Sequence, residues 1–147
     1  IMSGDHMKQA AEHLRGAWKL ESFEAELQAS GQRFKPWGEN PNGYFIVEPG
    51  GRMIALLTAG ERPVGEADGD LASLFRSMVA YTGRYRIEGD RLITKVDASW
   101  NEAWNGTEQE RFYHFEKDHL VLTTTWAPIN FLPGSPVGRG ILSWVRT

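Results

Sequence analysis

Arg111 is the residue of this 147-residue chain whose placement carries the most chemistry. It lies in the alternating run Gln109-Glu110-Arg111-Phe112-Tyr113-His114-Phe115, where Gln109, Arg111, Tyr113 and Phe115 share one face of an extended strand. If that face buries its aromatics, the guanidinium points into a core. A buried cation must be ion-paired or meet an anion, because an unpaired buried charge is very costly. Two uses stay open: a clamp for a carboxylate or enolate, or a structural pair with Asp97, Glu110 or a neighbouring tyrosine. Tyr81 and Tyr85 share a second such face with Gly83 and Ile87, opposite Thr82, Arg84 and Arg86. Their hydroxyls can bond or protonate a carbonyl, or they can be core aromatics satisfied at the end of the fold. A third face is read as Thr94, Val96, Ala98 and Trp100. Arg111, Tyr81, Tyr85, Gln109, Tyr113 and Trp100 are therefore the candidate ligand-binding residues of a mostly apolar pocket with a few placed donors. Trp18 is read as packing at the closed end of the fold, and no residue is singled out as catalytic.

Other chemistries find little support. His114 alternates outward between Tyr113 and Phe115, and His119 falls in a turn; their spacing matches no zinc pattern, so no metal is expected. There is no Gly-X-Ser-X-Gly elbow and no phosphate-cradling loop, and no cofactor is expected. Asn105-Gly106-Thr107 reads as a tight turn. The chain has no cysteine, which excludes disulfides and thiolate chemistry. Its 16 Lys and Arg against 19 Asp and Glu, a formal charge of −3, disfavour nucleic-acid binding. No apolar run approaches the roughly 18 residues that span a bilayer. The polar segment Ile1–Met7 reads as vector-derived or disordered, without a secretory pattern, and the protein as cytoplasmic.

The elements that must position these residues are mostly strands. A short helix over Lys8–Leu14 comes first, too short to stand alone. From Gly16 the period becomes two: Trp18, Leu20 and Ser22 share a face, then the apolar parity moves to Phe23, Ala25 and Leu27. That shift predicts a bulge near Ser22 in one long strand. Residues 30–42 read as loop. Tyr44–Glu48 and Arg52–Thr58 flank Pro49-Gly50-Gly51, Thr82–Glu88 and Leu92–Trp100 flank Gly89-Asp90, and Thr107–Glu116 and Leu120–Trp126 flank Lys117-Asp118. A last strand covers Gly140–Arg146. Between the third and fourth strands, Leu71, Leu74, Phe75, Met78 and Val79 recur at helical spacing, with Asp68 or Asp70 as cap. This helix reads as a cover for one end of a sheet, since it lacks a basic stripe for a membrane.

Eight successive antiparallel strands predict an all-β fold: an eight-stranded up-and-down barrel, which leaves no exposed edge and has an interior just wide enough for one small ligand. The tight turns argue against a sandwich, which needs longer crossovers. The residues also carry a resemblance. Gly16-Ala17-Trp18 after a short helix is similar to the Gly-X-Trp opening of lipocalins. Pro36-Trp37-Gly38-Glu39-Asn40-Pro41-Asn42-Gly43-Tyr44, Tyr81-Thr82-Gly83-Arg84-Tyr85 with Gly89-Asp90, and Trp104-Asn105-Gly106-Thr107-Glu108-Gln109-Glu110-Arg111 resemble successive blocks of the lipocalin-like domain family, relatives of the calycins. Glu102 stands where the resemblance leads to a proline. The length suits one domain, read as residues 8–147, and the resemblance, which runs from Gly16 to the last strand, implies a barrel with an internal cavity and no assigned activity.

The expected function is binding of a small, mostly hydrophobic molecule in the cavity, with an anionic or carbonyl group near Arg111. The alternative is a cavity enzyme of isomerase, cyclase or hydrolase type, in which a tyrosine and Arg111 polarise a carbonyl. A third reading, a structural or interaction protein whose barrel is filled by its own aromatics, stays open with six Trp, four Tyr and seven Phe. The proline-rich segment Ala127–Arg139, carrying Ile129, Phe131 and Leu132, reads as a lid or packed cover, with a homodimer contact as its remaining use.

Overall fold

Apolar–polar alternation commits most of the chain to strands with one buried face, and the computed structural model, which describes residues 4–147, shows how those faces close on each other. The elements run α1 (Gly4–Leu14), β1 (Gly16–Leu27), β2 (Arg33–Phe34), β3 (Asn42–Val47), β4 (Arg52–Thr58), α2 (Asp68–Arg76), β5 (Met78–Glu88), β6 (Arg91–Ser99), the 3-10 turn η1 (Glu102–Trp104), β7 (Glu108–Glu116), β8 (His119–Thr124), β9 (Ala127–Pro128) and β10 (Val137–Arg146). Successive long strands pair antiparallel, and β1 pairs with both β3 and β10, so the eight long strands form a closed barrel. The two-residue strands β2 and β9 are short additions on β1 and β10. Among the described residues no helix is long and apolar enough to cross a membrane.

The predicted bulge in β1 is present. The pairing with β10 shifts between Leu20 and Ser22, so Trp18 and Leu20 point inward before the break and Phe23 and Ala25 after it. A second bulge interrupts β5 against β6 between Thr82 and Gly83. There Thr82 opposes Ala98 while Gly83 opposes Val96, which turns Ala98 to the outside, where it is exposed. The expected inward face of Thr94, Val96 and Ala98 thus ends at Val96, because one extra residue in a period-two strand reverses everything beyond it.

The helices differ from their sequence-based limits for local reasons. α1 begins at Gly4, inside the stretch expected to be disordered; residues 1–3 lie outside the described part. α2 ends at Arg76, and Met78 and Val79, expected on its apolar face, instead open β5 opposite Thr58 and Leu57. Ser77 closes the helix: its hydroxyl donates to the Ser73 carbonyl (2.8 Å), and Arg62 donates to the Leu74 carbonyl (2.7 Å). The N-cap is Ala67, with no side-chain hydrogen bond, rather than Asp68 or Asp70; both acids sit in the first turn, where the helix dipole favours them. β10 begins at Val137, three residues earlier than expected, because Val137 and Gly138 pair with β9.

The connections sort by end. The three tight turns after β3, β5 and β7 lie at the end that α1 covers, and the long connections, including α2, η1 and the 129–136 excursion, lie at the other. The α1 end is packed solid. Leu14 and Leu120 are fully buried, the Trp18 indole donates to the Leu14 carbonyl (2.9 Å), His13 stacks on Phe115 with centroids 3.9 Å apart, and the Arg146 guanidinium lies 3.9 Å over the Trp18 ring. Arg146 also donates to the Arg15 and His13 carbonyls, satisfying the end of α1.

Candidate functional site

A barrel of eight strands can fill its interior with its own side chains, and at the α1 end this one does, with Trp18, Leu20, Leu92 and Leu120. Toward the other end the inward positions become small. Ala25 faces Gly140 across β1 and β10, and Ala55 lies between Phe45 and Tyr81 on β3 and β5. The space they leave is a cavity of about 680 Å³, open among the long connections. That volume falls within the range of small-molecule sites, roughly 300–1,000 Å³. At this end the barrel is not filled by its own aromatics.

The cavity walls are predominantly apolar. Phe23, Leu57, Val79, Leu122, Leu142 and Trp144 come from the strands; Trp37, Phe75, Trp104, Ile129 and Phe131 come from the connections. The aromatic rim is ordered by specific contacts. Trp100 and Trp104 meet edge to face at 5.0 Å, Trp104 lies 5.3 Å from Tyr81, and Phe23 meets Trp37 edge to face at 5.2 Å. The Trp100 indole donates to the Phe75 carbonyl at the end of α2 (3.1 Å), so the helix and the β6 end share one wall. η1 places Trp104: the Asn101 side chain accepts from the Ala103 N–H (3.1 Å), and Glu102, at the position where the resemblance leads to a proline, accepts from Asn105 Nδ2 (3.1 Å). The Ala127–Arg139 segment folds into a turn, with the Ile129 N–H on the Pro136 carbonyl (2.8 Å), and forms the opposite side of the mouth.

Arg111 enters this wall from the middle of β7, opposite Leu92 on β6 and Thr124 on β8. Its guanidinium donates to the Glu110 backbone carbonyl (2.9 Å), and among the described residues no carboxylate lies within ion-pair distance. The expected partners are engaged on the outside of the barrel: Asp97 with Arg52 (2.8 Å) and Glu110 with Arg91 (2.6 Å). A second arginine of the wall, Arg139, is neutralised: it pairs with Glu26 (2.8 Å) and stacks 4.3 Å from the Trp126 ring. The Arg139 hydrogen bond, against opposing desolvation and with help from Arg33, holds the Glu26 carboxyl below the usual range. Arg76, also at the cavity, is exposed on α2. Arg111 thus supplies a positive charge to a mostly apolar wall with no counter-charge from the described residues.

Of the six candidate ligand-binding residues, the fold brings Arg111, Tyr81 and Trp100 to the cavity. Tyr81 is buried as a residue, while its hydroxyl is not fully enclosed and forms no hydrogen bond with the described residues. Tyr85, Gln109 and Tyr113 point inward but do not line the space. Tyr85 packs on the core, Gln109 donates to the Thr107 hydroxyl (3.0 Å), and Tyr113 donates to the Gly89 carbonyl (3.1 Å) at the tight-turn end. Burial, with a smaller effect of Asp90, raises the Tyr113 phenol above its ordinary value. His114 is exposed beside Glu116 (2.9 Å) and His119 pairs with Glu21 (3.0 Å). Among the described residues no three His, Asp or Glu side chains gather as a metal site would require.

Sequence reasoning missed most of the aromatic mouth: Trp37, Phe75 and Trp104, together with Trp144 below it. The available signal was the alternation of long and tight connections, which places all the long ones at one end. Among curated proteins no match is found. The family model for the lipocalin-like domain, however, matches residues 15–147, the barrel in full. With its closed eight-stranded barrel, a cavity at one end and a helix across the other, this chain belongs to the lipocalin-like domain family.

Proposed function

We propose that the protein binds a small, mostly hydrophobic molecule in the barrel and holds an anionic or strongly polar carbonyl group of that molecule on Arg111. The observation that carries this reading is the Arg111 guanidinium, half-buried in the cavity wall and without a carboxylate partner among the described residues. An apolar cavity of about 680 Å³ supplies the driving force through burial of the ligand's hydrocarbon surface. Arg111 supplies orientation, since a charge-assisted hydrogen bond in a low-dielectric wall discriminates strongly between a carboxylate and a neutral group. Tyr81, Trp100 and Trp104 complete the contact surface around it.

The test uses 1-pyrenebutyrate and its primary amide, titrated by quenching of tryptophan fluorescence. The native protein is expected to prefer the carboxylate. Arg111→Met, which keeps the hydrocarbon stem, should lower carboxylate affinity on the order of 10- to 100-fold and leave the amide nearly unchanged. Equal carboxylate affinity in the native protein and the variant would remove Arg111 from the site.

A further inference from the structure

Trp144 is 2% exposed and lines the cavity from β10, between Leu20 on β1 and Leu120 on β8. Among the described residues its indole Nε1 is the one buried side-chain nitrogen or oxygen without a hydrogen-bond partner. The contrast with two other indoles is direct. The Trp18 N–H is taken by the Leu14 carbonyl and the Trp100 N–H by the Phe75 carbonyl. Buried indole N–H groups normally find an acceptor, because leaving one unpaired forfeits its hydration with nothing in return. Phenylalanine at this position would fill the wall against Phe45, 5.7 Å away, without that cost. An unpaired donor on a side chain that lines a ligand-sized cavity is therefore best explained by an acceptor that arrives with the ligand.

The position of Trp144 defines what that ligand must be. Arg111 stands opposite Thr124, whose hydroxyl accepts the Gly140 N–H (2.7 Å). Trp144 lies four residues further along β10 toward the α1 end, about 13 Å at the rise of an antiparallel strand. Between the two levels the facing side chains are Leu122 and Leu142, which are apolar. We infer that Trp144 is a ligand-binding residue whose indole N–H takes an oxygen acceptor at the deep end of the cavity. The preferred ligand is then polar at both ends and apolar between them: an anion at Arg111, and a ketone, ether or hydroxyl oxygen at Trp144. A straight-chain fatty acid does not meet this description, since its methyl end would leave the indole unpaired. The inference rests on the proposed role of Arg111 and goes beyond it by assigning the far end.

The test compares 4′-acetylbiphenyl-4-carboxylate with 4′-isopropylbiphenyl-4-carboxylate, which match in shape and anionic group and differ in the one acceptor. Affinities are measured by fluorescence titration, and the Trp144 indole N–H is followed by proton–nitrogen correlation spectra. The ketone is expected to bind about 3- to 10-fold more tightly and to move the Trp144 N–H resonance downfield, while the isopropyl compound leaves it in place. In Trp144→Phe the two affinities should converge; if that variant folds poorly, the spectra of the native protein separate the two outcomes without it. Equal affinities with an unmoved Trp144 resonance, both compounds being bound, would overturn the assignment of Trp144 and leave Arg111 as the polar anchor. Failure of both compounds to bind would overturn the two proposals together.

Discussion

Tyr113 illustrates how the fold, rather than the cavity, can take up a side chain of suitable type on an inward face. Its hydroxyl donates to the Gly89 carbonyl and ties β7 to the tight turn after β5 (3.1 Å). Burial raises its ionisation above the ordinary value of 10.0. Below that value the phenol is protonated both folded and unfolded, and its full contribution to stability is present. As pH rises past it, the unfolded chain ionises first while the folded protein still holds the proton, so stability falls until the folded-state value is passed. Tyr113→Phe should therefore lower stability near neutral pH by about 1 kcal/mol through the lost hydrogen bond. It should also flatten the alkaline decline, measured as urea midpoints from about pH 8 to about pH 11. A decline as steep in the variant would assign it to other groups. Arg111 shows the opposite case: the same strand and the same face, two residues earlier, yet its guanidinium meets a cavity instead of a turn. Residue type and parity were legible for both, but the surroundings were not, because the turn that meets Tyr113 and the cavity that Arg111 lines are built by other parts of the barrel.

At the scale of elements, bulges decide which residues reach the interior. Gly83 sits at the break between β5 and β6, where a Cβ would stand inside contact distance of the Lys95 carbonyl oxygen and close to the Val96 Cα. Gly83→Ala has no flexible side chain to displace, so the two strands must separate. The expected loss is about 2–4 kcal/mol in a denaturant melt; a loss under about 0.5 kcal/mol would show that the strands shift without cost. The bulge in β1 was visible in the sequence because apolar residues flank it on both sides and their parity changes from Leu20 to Phe23. The bulge opposite Gly83 was not, since Ala98 and Ser99 are small enough to suit either face. The same ambiguity hid the end of α2. Met78 and Val79 continue its apolar spacing, yet pairing with β4 gives them backbone hydrogen bonds and a buried face that another helical turn would not.

The whole molecule divides into a packed half that holds the fold and an open half that holds the candidate site. Phe45 stands where the two meet: it is 1% exposed, packs on Trp144 and lines the deep part of the cavity. Phe75 belongs to the second, 46% exposed on a helix that buries no residue. Phe45→Ala should cost about 3–5 kcal/mol, the usual loss for a buried phenylalanine, whereas Phe75→Ala should cost under about 1 kcal/mol. Thermal melts of the two variants check this, and comparable losses would mean that the mouth is as much a part of the core as the closed end. Such a division lets the connections around the mouth vary while the barrel stays intact.

The strand count, the hairpin order, the inward faces of β1, β5 and β7 and the closure into a barrel were all written in local patterns: period-two alternation, turn residues at three tight corners, and the need to remove sheet edges. The lipocalin-like motifs agree with the matched family. Only the tertiary structure decided that Ala25, Ala55 and Gly140 converge to leave a void, that Arg111 loses both expected carboxylates to arginines on the outer surface, and that the Trp144 indole finds no acceptor. The physical reason is common to all three. A cavity and an unpaired charge or donor are properties of what several distant strands fail to supply at one point, and such a deficit has no signature within any single stretch of chain.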